Sequence, residues 1–304
     1  MFDWIWLSRV TFLGLTGIGC TAALFLPFLH QNNNNSTKTP AINSENIQTV
    51  TKAVIPPPLP VIQRQIVSQK RANKATQIPP FNLQQSLSLY SSLFTTPTSL
   101  GMVAIGAAEG NYRLLISNGT LYVQSTPLYF GHTDPGNLSW GEVVTNYGPC
   151  SDQGRSKGNI SLAEQGCLER SRSQLPTQLI DINAAGINPD TDLEAVLNTA
   201  DLYNQASPIH SRYFPQALAM AKRRGLTRIE ALAWARTESF YLNTNGQMDL
   251  QNGQNQATGL IGICAREHRP VTEWECVYGD QLRRVKEIDS VLDKYRQIYQ
   301  GARG

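Results

Sequence analysis

The sequence has little of what several common functions require. Its 304 residues carry a formal net charge of only +3, so no strong electrostatic attraction to a nucleic acid is expected. It holds four histidines without an HExxH motif, and its cysteines lack the close CxxC spacing of a four-cysteine zinc site. No internal repeat is visible. We therefore predict no nucleic-acid partner and no metal or cofactor.

An uncharged apolar run occupies residues 10–29 near the start of the chain. Its length is about that of a helix that spans a bilayer. No small-x-small cleavage site follows it closely, which favours an uncleaved anchor, although a cleaved signal peptide remains an alternative. We predict that residues 1–30 form a single-pass anchor in the cell membrane, or a signal, with the C-terminal domain in the periplasm or outside the cell.

The composition changes after this run. The stretches QNNNNSTKTP, IPPPLP and QIPP are rich in asparagine or proline and lack a sustained apolar period. Such segments cannot bury enough apolar surface to fold alone. We predict a disordered linker over residues 31–95 and a folded domain over residues 96–304.

Four cysteines lie within the predicted domain, at positions 150, 167, 264 and 276. An even number of cysteines in an exported domain predicts disulfides. Pairing Cys150 with Cys167 and Cys264 with Cys276 closes short loops, which is the least costly choice, and the other pairings stay open.

A short helix is predicted to end at an acidic residue. Ser99 stands at a possible N-cap, and small apolar residues follow it up to Ala108. Gly110 can end the helix in a left-handed conformation. Glu109 is then left on the last turn, where the helix dipole disfavours negative charge.

A β-hairpin and a polar loop follow that helix. The sequence LLISNGTLYVQ alternates around Asn118-Gly119, which is a strong hairpin signal. The next segment, GHTDPGN, contains His132 and Asp134 and is rich in turn-forming residues. The order is therefore helix, terminal Glu, hairpin and acidic loop.

This order resembles the lysozyme-like superfamily of glycan hydrolases, which includes phage and goose-type lysozymes, chitosanases and lytic transglycosylases. In that superfamily the acid Glu ends a buried helix, and a small sheet beside it often carries a second carboxylate. The AEG…GHTDPGN pattern also resembles one found in secreted bacterial proteins. The resemblance implies an α+β, mainly α fold, with a lysozyme-like helical domain and a small hairpin or sheet.

The resemblance also implies roles for two carboxylates. Glu109 would protonate the glycosidic oxygen, and Asp134 would face it across a cleft. Burial and the helix end would both disfavour the charged form of Glu109. Glu142 is an alternative to Asp134 as the second carboxylate. As an alternative, Glu109 holds the hairpin through backbone hydrogen bonds, and DPGN is an ordinary turn.

Sugar contacts are predicted around the same loop. Aromatic rings there can stack on sugar faces, although rings beside a small sheet are more often in the core. His132 and Asp134 form an HxD pair, for which a hydrogen-bonded loop is favoured over a metal site. The predicted substrate-binding residues are Tyr129, His132, Asn137 and Trp140.

A rival catalytic acid, Glu238, lies late in the chain. ALAWARTESFYLNTNG followed by QATGLIGI is similar to the pattern of lytic transglycosylases, in which one Glu is the only catalytic acid. That Glu lies early in the family's domain but late here, and the intervening loop is longer. The alternative is an exposed Glu on a capped helix. The matching residues are Glu238, Ser239, Phe240, Asn243, Ala257, Gly259, Leu260 and Ile263.

The rest of the domain has helical patterns. Capping-box sequences start at residues 161, 191 and 227, the last helix of the three running through Tyr241. Another helix is expected from about Tyr213 to Gly225, with Pro215 in its first turn. A long polar loop follows Tyr241, and an amphipathic helix from Asp280 closes the chain.

Together these features predict a membrane-tethered enzyme, a glycoside hydrolase or lytic transglycosylase, that cleaves peptidoglycan or a related polysaccharide with a Glu general acid. A non-catalytic envelope protein that binds glycan or a partner through the same cleft is the main alternative. A purely structural domain is the third.

Overall fold

The computed structural model describes residues 50–52 and 80–301. Of these residues, 59% are helical and 10% lie in strands, which confirms the predicted α+β, mainly α class. The predicted anchor at residues 10–29 lies outside the described residues, as does most of the predicted linker. Within the two described ranges, no helix combines the length and apolar character that crossing a membrane requires.

Helices and small sheets alternate along the chain. The helices are α1 (Leu83–Tyr90), α2 (Leu100–Ala108), α3 (Pro135–Ser139), α4 (Ile160–Ala184), α5 (Leu193–Gln205), α6 (Pro208–Arg223), α7 (Arg228–Glu238), α8 (Thr258–Arg266) and α9 (Glu273–Gly301). The strands are β1 (Val50–Lys52), β2 (Tyr112–Ser117), β3 (Thr120–Ser125), β4 (His132–Thr133), β5 (Thr145–Asn146), β6 (Tyr241–Leu242) and β7 (Gln254–Asn255). The sheet orders are β1-β3-β2, β4-β5 and β6-β7.

Parts of the range predicted as a linker are folded. Helix α1 is followed by a 3-10 helix at Ser91–Phe94, and Leu93 and Phe94 are buried in the hydrophobic core. Strand β1 pairs antiparallel with β3, with Thr51 opposite Val123. These elements are short, so their apolar residues do not build a period long enough to be recognised from sequence.

Helix α2 and the hairpin after it confirm the local predictions. Every residue of α2 is buried, Glu109 is its C-cap, and Gly110 adopts a φ of +82°, as a helix-ending glycine does. The hairpin turn places Asn118 and Gly119 at φ values of 49° and 69°. Positive φ at both central residues is the requirement of the tight turn that Asn-Gly favours.

Five predicted helix ends were wrong, and two of them are N-caps: α4 and α5 are capped by Asn159 and Asp192 instead of Ser161 and Thr191. Helix α6 starts at Pro208 instead of Tyr213, because proline fits the first helical position, where no N–H is needed. Helix α7 ends at Glu238 instead of Tyr241, since Tyr241 begins strand β6. Helix α9 starts at Glu273, ahead of the predicted Asp280.

The two predicted disulfides are confirmed. Cys150 in the loop after β5 is bonded to Cys167 of α4, with Cα atoms 6.1 Å apart. Cys264 of α8 is bonded to Cys276 of α9, with Cα atoms 6.3 Å apart. The second bond joins the helix after the β6–β7 hairpin to the long C-terminal helix.

Packing places α7 between other helices. It lies against α6 and α9, while the fully buried α2 packs on α5 and α9. Helix α9 therefore contacts the two helices that end at the candidate acids, Glu109 on α2 and Glu238 on α7.

Candidate active site

Glu109 is held by an ion pair. Arg284 of α9 donates through Nη2 to Glu109 Oε1 at 2.6 Å, and Asn204 Nδ2 donates to the same oxygen at 3.1 Å. The Glu109 side chain is 14% exposed. An arginine that neutralises a carboxylate stabilises its charged form. The geometry thus favours a structural role for Glu109, and its role as an acid stays a prediction.

The ion pair belongs to a buried network that reaches α7. Asp201 of α5 accepts from Arg236 at 2.7 Å and from Arg284 at 2.7 Å and 3.0 Å. Burial alone would raise the pKa of Asp201, but the two guanidinium groups hold it below its usual value. Arg236 also donates to Gln281 of α9 at 2.6 Å. The network fixes α7 two residues before Glu238.

Asp134 is the N-cap of the short helix α3. Its Oδ1 accepts the backbone N–H of Asn137 at 2.8 Å, and its Oδ2 accepts from Asn146 Nδ2 at 2.8 Å and Gln153 Nε2 at 3.4 Å. Within residues 80–301, none of these hydrogen-bond partners is shared with Glu109. The structure thus gives Asp134 the role of a turn and helix cap, and its catalytic role remains a prediction.

The aromatic candidates near Asp134 differ in exposure. Tyr129 is 4% exposed, its ring stacks on Tyr112 with centroids 5.3 Å apart, and its hydroxyl donates to Glu164. Trp140 is 58% exposed. Tyr129 therefore belongs to the core, the alternative that the sequence left open, whereas Trp140 presents an accessible ring.

The polar candidates of the loop have local partners. The Nδ1 of His132 lies 2.8 Å from the carbonyl oxygen of Leu128, and Asn137 takes part in the cap through its backbone. Glu142 is exposed. No group of three His, Cys, Asp or Glu side chains that suits a metal ion occurs in the described part of the chain.

Glu238 differs from the other carboxylates because it is buried without a hydrogen bond at one oxygen. It is the last residue of α7, it is 1% exposed, and its Oε2 has no hydrogen-bond partner among the residues that the structure describes. The alternative of an exposed Glu is wrong. Burying a charged carboxylate without a partner is costly, so such a group tends to keep its proton.

The electrostatic surroundings of Glu238 favour its protonated form. Burial raises the pKa of Glu238, the positive charge of Arg224 lowers it and the negative charge of Asp249 raises it, and together they bring the pKa to about 7. An acid with a pKa near the working pH is suited to proton transfer. Glu238 can therefore hold and donate a proton near neutral pH.

A small hairpin follows Glu238, in a segment that the sequence indicated as a loop. Tyr241 of β6 pairs with Asn255 of β7, and the Gln256 N–H donates to the Phe240 carbonyl oxygen at 2.8 Å. Asn255 is also buried, and its Nδ2 has no hydrogen-bond partner. Two-residue strands are too short to give an alternating pattern, which is why the hairpin was missed.

Helix α8 connects the segment around Asp134 with the segment that follows Glu238. It carries the TGLIGI residues that match the transglycosylase pattern, and it packs against α3. Ser139 Oγ of α3 donates to the Gly259 carbonyl oxygen at 3.2 Å. The loop around Asp134 therefore supports the helix that follows the Glu238 hairpin.

Four half-buried aromatic side chains form a cluster beside this hairpin. The Trp274 ring lies 5.7 Å from Tyr241, 6.2 Å from Trp234 and 6.3 Å from Tyr278. Arg224 stands over the Trp234 ring, 4.9 Å from its centroid. Sequence reasoning missed this cluster because its members come from α7, β6 and α9. The only local signal was the position of Trp234 one turn before Glu238.

The site thus combines a buried carboxylic acid at a helix end, a short hairpin and an aromatic cluster. A positioned carboxylic acid of this kind can protonate a leaving group. Comparisons of the chain with protein-family models, with curated proteins and with solved structures found no match.

Proposed function

We propose that this protein cleaves a cell-wall glycan, peptidoglycan or a related polysaccharide, with Glu238 as the general acid. The observation that carries the proposal is the Glu238 carboxyl, which is 1% exposed, lacks a partner at Oε2 and has a pKa raised to about 7. Its placement at a helix end before a hairpin and the TGLIGI helix supports the lysozyme-like resemblance.

Glu238 is preferred to Glu109 on the basis of their partners. Glu109 accepts from Arg284 at 2.6 Å and from Asn204 at 3.1 Å. The Glu109 carboxylate is thus occupied by an ion pair with a buried arginine and by an amide hydrogen bond, which is the geometry of a structural contact. Glu238 is buried, and its Oε2 accepts no hydrogen bond from the described residues. Such surroundings favour the protonated form that a proton donor needs.

The reaction begins with transfer of the Glu238 proton to the glycosidic oxygen. The bond between that oxygen and the anomeric carbon then breaks, and the leaving sugar departs with the transferred proton. Either water or a hydroxyl of the same sugar then bonds to the anomeric carbon and gives its proton to the Glu238 carboxylate, which restores the acid. Because Glu238 is 1% exposed, the proposal requires the residues that cover its carboxyl to move when glycan binds.

The test is release of muropeptides from purified peptidoglycan by the full chain and its Glu238→Gln variant. The amide keeps the shape of the side chain but has no transferable acid proton. We expect a rate loss of about 10²–10⁴-fold, the usual contribution of general acid catalysis. Glu230→Gln is the matched control, because Glu230 is an exposed residue of the same helix.

Each outcome separates one hypothesis from another. Loss of release in Glu238→Gln with an unchanged circular dichroism spectrum supports the proposal. Loss only in Glu109→Gln would move the acid to α2. Binding of the wild-type chain to peptidoglycan without any release would favour the non-catalytic envelope protein. Mass spectrometry of the products distinguishes hydrolysis from transglycosylation, since a transglycosylase product lacks one water.

A further inference from the structure

We infer that the cluster of Trp234, Tyr241, Trp274 and Tyr278 binds the glycan strand, and that Arg224 at its edge selects strands that carry carboxylates. We call these four residues the aromatic platform. The inference rests on the proposed function, since it assigns to that same site the surface that holds the substrate and the class of glycan preferred.

The platform is a cluster of aromatic rings centred on Trp274. The planes of the Trp274 and Tyr278 rings are inclined by only 14°, and Trp274 also contacts Trp234 and Tyr241. Trp234 and Tyr278 pack against the hydrophobic core, while all four residues keep part of their surface accessible. Aromatic side chains with one apolar face and one wet edge suit ligands of mixed polarity. Sugar rings, with apolar C–H faces and hydroxyl edges, are ligands of this kind.

The platform continues directly from the proposed acid. Trp234 precedes Glu238 by four residues on α7, and residues at this spacing share a helix face. Tyr241 lies on the other side of Glu238 in sequence, where α7 gives way to β6. Burial raises the pKa of Tyr241. A strand lying on the platform is thus led towards the Glu238 carboxyl.

Arg224 gives one edge of the platform a positive charge. It is an exposed residue that follows α6, its guanidinium stands 4.9 Å from the Trp234 centroid, and its charge acts on Glu238. Peptidoglycan carries carboxylates on its lactyl-linked peptides, whereas chitin is uncharged. A carboxylate beside the reacting sugar would lie on the Arg224 edge.

Binding is tested in a background that does not depend on cleavage. The full chain with Glu238→Gln is incubated with insoluble peptidoglycan or with chitin, and the bound fraction is titrated. Trp274→Leu keeps an apolar side chain but removes the aromatic ring, so we expect about tenfold weaker binding to both polymers. Tyr122→Leu is the matched control, because Tyr122 is a half-buried aromatic residue of β3 that is not part of the platform.

Selectivity is tested with a charge substitution. Arg224→Gln should weaken binding to peptidoglycan about threefold to tenfold at low salt, and leave binding to chitin within about twofold. Arg223→Gln is the control, because Arg223 is the exposed neighbouring arginine. Thermal unfolding of each variant checks that it is folded, and Trp274→Phe, which keeps a ring, should bind more tightly than Trp274→Leu.

The inference is overturned if Tyr122→Leu weakens binding as much as Trp274→Leu, or if Trp274→Phe and Trp274→Leu behave alike. Equal losses on both polymers in Arg224→Gln, or an equal effect of Arg223→Gln, would overturn the selective role of Arg224. Failure of the wild-type chain to release muropeptides would instead refute the proposed function, while the binding results still report on the platform.

Discussion

Arg236 and Glu238 are two residues apart on α7 and are both buried, yet only Arg236 is paired throughout its polar group. All three guanidinium nitrogens of Arg236 donate hydrogen bonds, to Gln281, Asn198, Gln205 and Asp201. Glu238 Oε2 has no hydrogen bond. The hydrogen bonds of Arg236 anchor α7. They thereby hold Glu238 in a buried position in which its Oε2 lacks a hydrogen bond.

The first prediction concerns pH. If protonated Glu238 is the acid, kcat should fall as pH rises through about 7, the raised pKa of this group. Asp249→Asn removes a negative charge and should move this fall to lower pH, while Arg224→Gln should move it to higher pH. Shifts of about half a unit are expected for such partly exposed charges.

The measurement is kcat for muropeptide release between pH 5 and pH 9, with Glu230→Gln as a control that should leave the profile in place. Shifts in the same direction for Asp249→Asn and Arg224→Gln would contradict the assignment, because the two charges act on Glu238 with opposite sign.

The second prediction concerns stability. The pKa of Glu238 lies above its ordinary value of 4.5, so the unfolded chain ionises first as pH rises. The contribution of Glu238 to the free energy of unfolding is therefore fully present below about pH 4.5 and is lost progressively as pH rises to about 7. Glu238→Gln removes this loss, and the variant should gain on the order of 2 kcal/mol over the wild type between pH 5 and pH 8.

Urea unfolding of both proteins at the two pH values gives this difference directly. Glu230→Gln should follow the wild type. Parallel pH dependence of the wild type and Glu238→Gln would show that Glu238 is not buried in solution as it is in the structure.

The third prediction distinguishes a structural role of Glu109 from a catalytic role. Arg284→Met leaves Glu109 without its ion pair and Asp201 with a single arginine, so we expect a loss of about 3–5 kcal/mol in the free energy of unfolding. Glu109→Gln keeps an oxygen that accepts from Arg284 and should cost only about 1–2 kcal/mol. Its rate of glycan cleavage should stay within about twofold of the wild type.

The assays are chemical unfolding and muropeptide release on the same preparations. A loss of about a hundredfold in rate with unchanged stability in Glu109→Gln would restore Glu109 as the catalytic acid.

The fourth prediction concerns the N-terminal run at residues 10–29. Because it lacks charge over a membrane-spanning length, the protein should stay with the membrane fraction after high-salt and alkaline carbonate washes. Release by either wash would show that the run is not an anchor.

Local chemistry explains which parts of the fold could be predicted. Asn118-Gly119 specifies its own turn, Gly110 ends its own helix, and short loops favour the observed cysteine pairs. The start of α6 could also have been predicted, since Ser207 is an N-cap residue followed by Pro208 at the first helical position. Pro215 was instead predicted to lie in the first turn. The error was therefore a choice between two prolines that both fit the first turn of a helix.

The candidate site could be predicted only in part, because its properties arise from packing across the chain. The ES, F and GL residues of the transglycosylase pattern marked Glu238, but nothing nearby shows that it is buried. Similarly, Glu109 ends a buried helix as expected, yet its partner Arg284 lies 175 positions later. Which carboxylate is paired depends on where α9 lies, and the sequence pattern does not determine that.

The Cys264–Cys276 bond has a consequence for how the protein responds to proteases. The residues from Glu267 to Glu273, between the two bonded cysteines, are exposed. Exposed loops of this kind are preferred sites of proteolytic nicking. A chain cut there would remain joined through the two sulfurs, and it would migrate as one species until a reductant separated α9, with Trp274 and Arg284, from the fragment that holds Glu238.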